Sequence, residues 1–130
     1  MLSHITIGIS DLDRAFTFYE RVLAPLNYVL KFREPAQGWA GWKLPTADRP
    51  LFIITAPSDG GPPAPGNGAM TAFLAEDRAV VDAVHAAAIA AGGQDEGDPG
   101  LRPHYHENYY GAYFRDLDGN KLCVACHEAA

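Results

Sequence analysis

The chain predicts an α+β fold made of two tandem units, each with the order strand, helix, strand, strand, strand. Three observations carry that expectation. An opening strand of alternating isoleucines runs straight into a capped amphipathic helix, and the same pattern returns after residue 68. Between the two lies a stretch dominated by proline and glycine.

The first unit is organised around Leu2–Leu26. Ile5, Ile7 and Ile9 alternate with His4, Thr6 and Gly8, the period-2 signature of a strand with two unlike faces. Ser10 stands at an N-cap position with Asp13 three residues on, a capping-box spacing with the shorter acid. Leu12, Ala15, Phe16, Tyr19, Leu23 and Leu26 then fall on one helical stripe. That helix is the nearest cover for the isoleucine face. His4, Thr6 and Gly8 are left on the opposite face, where any chemistry is expected.

Asn27–Glu34, Gly38–Leu44 and Leu51–Thr55 read as the three following strands. Pro57–Gly68 holds four prolines and four glycines in twelve residues and reads as a surface linker. Ala69–Ala75 is a strand feeding a helix over Asp77–Ala91, with Val81, Val84, Ala88 and Ala91 on one stripe and Gly92-Gly93 as its stop. The tripeptide Asp-Arg-Ala recurs at 13–15 and 77–79. Gln94–Arg102 reads as a polar strand or loop, followed by strands at Tyr109–Arg115 and Lys121–His127 joined by a tight Asp116–Gly119 turn. The expected organisation is one domain over residues 1–130, with units at about 1–56 and 69–128 and a linker at 57–68.

Composition narrows the function classes. At 130 residues and 48% hydrophobic content the chain suits a single globular domain. A formal net charge of −6 without basic clusters argues against nucleic acid or an anionic membrane as partner. No apolar run reaches membrane-spanning length, and the amino terminus lacks a secretory signal pattern. Two cysteines near the carboxyl end make no disulfide framework, so a reducing, cytoplasmic setting is expected. On a strand Cys123 and Cys126 point to opposite faces, which excludes a thioredoxin-like pair and sends Cys123 toward the open face with Ala125 and His127.

The segments HITIGISDLDRAFTFYERVLAPL and RDLDGNKLCVA resemble the vicinal oxygen chelate superfamily of glyoxalase, bleomycin-resistance and extradiol-dioxygenase proteins. The resemblance implies paired βαβββ modules forming a curled mixed sheet around an open cleft, commonly dimeric. It also implies a divalent metal held by one side chain from the first and last strand of each module. Those positions fall on His4, near Ile54, on Met70 and on Cys123, where histidine or glutamate is usual at all but the second. One of the four matches. Oxygen ligands for hard ions are absent from the set. His4, Met70 and Cys123 would make a nitrogen–thioether–thiolate set suited to copper, whereas Met70 and Cys123 serve equally as pocket fillers. No metal ligand set is therefore assigned, and a divalent metal through His4 stays open.

The richest polar cluster is Leu101–Tyr110. His104 and His106 share a face if the segment is extended, and with Tyr105 and Tyr109 they read as a cleft rim. The similar family proteins wall their pocket with this segment. His106 and His4 are the candidate proton-transfer bases. Trp42, Met70, His104, Tyr105, Tyr109 and Cys123 are the candidate ligand-contacting residues; Trp42 is preferred to Trp39 as an aromatic wall. His85 reads as structural. Three functions follow: a metal-dependent lyase or dioxygenase, a metal-free binder of a small aromatic or oxygenated molecule, and a metal-independent enzyme with a histidine base. The binder is the principal reading.

Overall fold

The computed structural model describes all residues from Met1 to Ala130. Its first half comprises β1 (His4–Gly8), α1 (Leu12–Leu23), β2 (Val29–Glu34), β3 (Trp39–Lys43) and β4 (Leu51–Thr55). The second half repeats the order as β5 (Thr71–Leu74), α2 (Arg78–Ala90), β6 (Gln94–Leu101), β7 (Tyr110–Arg115) and β8 (Lys121–Cys126). Each half forms a four-stranded mixed sheet, in the orders β1-β4-β3-β2 and β5-β8-β7-β6. The parallel pairs are β1 with β4 and β5 with β8; all other pairs are antiparallel. A parallel pair needs a long crossover, and in both halves the crossover contains the helix. The two sheets do not close into a barrel.

Both helices cover the same kind of face. Ile5, Ile7 and Ile9 turn toward α1, as their alternation requires, and leave His4, Thr6 and Gly8 on the helix-free side. A single core of 22 buried residues draws on both halves. Phe18 of α1 lies 6.4 Å from Phe114 of β7, and Tyr28 lies 5.8 Å from Phe73 of β5, ring centre to ring centre. Complete burial of each such aromatic contributes roughly 1.5–3 kcal/mol.

The helix starts differ from the sequence expectation. Asp11, not Ser10, caps α1 by accepting from Arg14 N at 3.1 Å, as Asp77 caps α2 by accepting from Val80 N at 2.9 Å. The two Asp-Arg-Ala tripeptides are therefore out of register: Asp77 is a cap, whereas Asp13 lies in the first turn and pairs with Arg33 at 2.5 Å. Ser10 has another partner. Its hydroxyl donates to Asp118 Oδ1 at 2.6 Å and its N–H to the same oxygen at 3.1 Å.

That bond belongs to a clasp between the halves. Asp116 is buried after β7 and accepts from the N–H groups of Asp118 and Asn120, each at 2.9 Å. Asn120 Nδ2 donates at 2.9 Å both to Asp116 Oδ2 and to the Gly8 carbonyl of β1. A turn that local chemistry alone accounts for in sequence thus also locks the β1–α1 junction. No helix of the structure is long and apolar enough to cross a membrane.

Candidate functional site

The site is built on the helix-free face of the second sheet. Cross-strand partners share a face, and the register pairs Tyr113 with Cys123 and Arg115 with Lys121. After β6 the chain turns back tightly, Arg102 N donating to the Tyr109 carbonyl at 2.8 Å. This return places the Tyr109 hydroxyl 2.9 Å from that of Tyr113 and 3.5 Å from Cys123 Sγ. Burial, first of all, pushes the Cys123 thiol and both phenols above their ordinary pKa values. At neutral pH the cluster is uncharged. Cys123 rests there as a thiol and is no ready nucleophile.

A cavity of about 500 Å³ opens beside this cluster. Its roof is the linker segment Pro65–Ala69, and Met70, Tyr105, Tyr113, Arg115 and Lys121 line the rest. The linker also covers the first sheet, where Thr6, Gly8 and Thr55 line a hollow of about 350 Å³ beneath Pro57 and Pro63. Pro63 Cβ lies 3.4 Å from where a Cβ on Gly8 would stand, so the small residue admits the strap closely.

The structure gathers part of the expected residue set. Met70 and Tyr105 line the larger cavity, and Tyr109 and Cys123 form the buried cluster behind it. His106 Nε2 lies 2.8 Å from His127 Nδ1, with their rings stacked at 5.1 Å. His104 packs against Tyr105 at 4.3 Å. His104 and His106 do not share an extended face, because 102–109 is a tight return and not a strand.

His4 stands apart: it is exposed, bonds Ser3 Oγ at 3.0 Å, and lines neither hollow. Trp42 requires a correction. It is 3% exposed and stacks on Phe16 of α1 at 5.4 Å, inside the core. Period 2 gives Trp39 and Trp42 opposite faces, and β3 turns its helix side toward Trp42. Trp39 takes the open face, bonded to Glu34 at 2.6 Å and packed on Phe32.

Tyr113, Arg115 and Lys121 were not among the sequence candidates. The signal was present: counting by two from Gly111 gives Tyr113 and Arg115, and counting back from Cys123 gives Lys121.

The four metal-ligand positions implied by the fold family do not make a donor set for an octahedral divalent ion. Ile54 is aliphatic and fully buried on the α1 side, and Met70 and Cys123 offer sulfur where such an ion wants oxygen or imidazole. The one group of three histidine, cysteine or acidic side chains with ligand atoms within 4.8 Å of each other is His85, Asp95 and Asp98. Asp95 faces the helix side, being paired with buried Phe114, so this group is remote from the cavity face. His85 Nε2 meets Asp95 Oδ1 at 3.0 Å, while the Gly97 N–H, chiefly, holds the Asp95 carboxyl below its usual range.

The model of the glyoxalase/bleomycin resistance protein/dioxygenase superfamily matches residues 1–124. The chain belongs to that superfamily. A glyoxalase/bleomycin resistance protein from Albidiferax ferrireducens T118 is 35% identical, with a TM-score of 0.87 over 97% of this chain and 98% of its own. A glyoxalase-related enzyme from Fulvimarina pelagi is 22% identical, with a TM-score of 0.73 over 97% of this chain and 87% of its own. A lactoylglutathione lyase from Agrobacterium tumefaciens is 20% identical, with a TM-score of 0.67 over 97% of this chain and 92% of its own. The last two share the superfamily fold. No functionally curated protein matches.

Proposed function

We propose that this member of the glyoxalase/bleomycin resistance/dioxygenase superfamily binds a small aromatic or oxygenated molecule without a resident metal. The observation that carries the reading is the 500 Å³ cavity beneath the linker, walled by Met70, Tyr105 and Tyr113 and backed by Tyr109 and Cys123. That volume lies within the range of small-ligand sites, and phenols offer both stacking faces and orienting hydroxyls. The exchange of family ligand positions for Ile54, Met70 and Cys123 supports binding without a metal. The test combines elemental analysis of purified protein with thermal shift across a panel of aromatic and oxygenated compounds. A melting-temperature rise that scales with compound concentration, in protein carrying no stoichiometric metal, is the expected result. One tightly held divalent ion per chain would overturn it.

The pairing of His106 with His127 at 2.8 Å favours a second reading, a metal-independent enzyme. With both rings neutral, the Asn108 N–H on His106 Nδ1 at 3.2 Å makes His106 Nε2 the donor to His127. His106 is thus a candidate proton-transfer base once one of these bonds is released. Neither His4 nor His106 lines the cavity, and His4 is the weaker candidate because its ring bonds only the neighbouring Ser3 Oγ. His106→Ala would then abolish turnover of a bound compound while leaving its affinity within about twofold. A homodimer and a cytoplasmic setting complete the proposal. Exposed Leu74 and Leu44, beside Tyr28 in an apolar groove, support pairing, which sedimentation velocity tests.

A further inference from the structure

We propose that the cavity beneath the linker selects an anion: a small carboxylate or phosphate carried on a planar body. The inference deepens the binding function proposed above and rests on it. The chain carries a net charge of −6, so its surface as a whole repels anions. The cavity is the local exception, for Arg115 and Lys121 are the only charged residues lining it.

The two cations are held differently. Arg115 is fixed: its Nε meets Glu96 and its Nη1 donates to the Gly119 carbonyl at 2.9 Å. Glu96 offsets much of its charge, so Arg115 orients more than it attracts. Lys121 enters none of the three ion pairs of the molecule. Its Nζ stands 5.8 Å from the Tyr113 ring centre, and Arg102 approaches the same ring at 5.5 Å. Tyr113 therefore presents an aromatic wall with positive charge gathered around it, and no carboxylate in the lining answers that charge. An anionic group on Lys121 with a ring between Tyr105 and Tyr113 satisfies both features. A neutral aromatic satisfies one. A cationic ligand satisfies neither charge.

Calorimetric titration of the intact chain with matched pairs tests the inference: benzoate against benzamide, 2-naphthoate against 2-naphthamide, and phenyl phosphate against benzyl alcohol. The anion of each pair is expected to bind about tenfold more tightly, the value of one charge-assisted contact. Lys121→Met keeps the stem and removes the charge; it should erase that preference, costing the anion about tenfold more affinity than it costs the neutral partner. Lys121→Gln serves as the second variant, and each is used once it melts cooperatively. Equal binding of both members of each pair, or equal losses for both in Lys121→Met, would overturn the anion preference and leave the binding function standing. Absence of binding by every compound, neutral ones included, would overturn both.

Discussion

The Tyr19 hydroxyl donates to Asp116 Oδ2 at 2.5 Å, joining α1 of the first half to the turn that follows β7 in the second. Tyr19 is fully buried and packs on Phe52 and Trp42, so this bond lies at the centre of the shared core. Tyr19→Phe keeps the packing and deprives Asp116 of one donor. Urea unfolding should show a loss of about 1.5–3 kcal/mol, the value of a hydrogen bond to a charged acceptor, with Asn120 Nδ2 remaining on the same oxygen.

The same pair sets an alkaline limit. Burial first, and the Asp116 carboxylate second, raise the Tyr19 pKa well above 10. The folded value exceeds the unfolded one, so the stabilisation is complete below about pH 10 and is lost as pH climbs from there. Melting temperatures of the wild type should fall more steeply above pH 10 than those of Tyr19→Phe. Parallel curves would count against the assignment.

The two tryptophans should respond unequally. Trp42→Ala empties a core position and is expected to cost about 3–5 kcal/mol. Trp39→Ala gives up a partly exposed ring and its bond to Glu34, for about 1–2 kcal/mol. In Trp39→Phe the emission of the remaining Trp42 should be blue-shifted. Denaturant melts and fluorescence spectra check both statements.

Cys123 and Cys126 are both free and buried. Neither should react promptly with an aromatic disulfide reagent at neutral pH, and both should react once the chain is unfolded. Fast labelling of Cys123 itself, located by peptide mapping, would mean that the Tyr109–Tyr113–Cys123 cluster opens readily.

Gly111 gives a way to move Tyr109 without cutting its hydroxyl. A Cβ at this position would stand 2.8 Å from Tyr109 Cε1, so the ring must shift away from Tyr113 and Cys123. Gly111→Ala should cost about 1–3 kcal/mol from overpacking. It should also weaken binding of any compound that stabilises the wild type. Retained affinity would remove Tyr109 from the proposed site.

Most of the architecture is legible in the residues because it rests on periodicity. The isoleucines of β1, the stripe of α1 and the Gly92-Gly93 stop each announce a local element, and the repeat announces the order. The caps and faces are harder. Ser10 and Asp11 are both good caps, and only the reach of Asp118 decides between them. Alternation separates Trp39 from Trp42 but does not say which of the two α1 covers. The proposed site is legible only in part, because His104–Tyr109 advertises itself by composition while Lys121 and Arg115 look like ordinary turn-flanking charges. Their shared cavity arises from the return of the linker, which no local pattern encodes.

The latch at Asp116–Asn120 makes the repeat directional. Hydrogen bonds of the corresponding connection in the first half, through Leu44 and Ala47, stay within that half. A chain assembled from two copies of the first half would have no such fastening, and one assembled from two copies of the second would have a buried Asp116 without Tyr19 to satisfy it. Neither piece can substitute for the other, although each draws the same diagram.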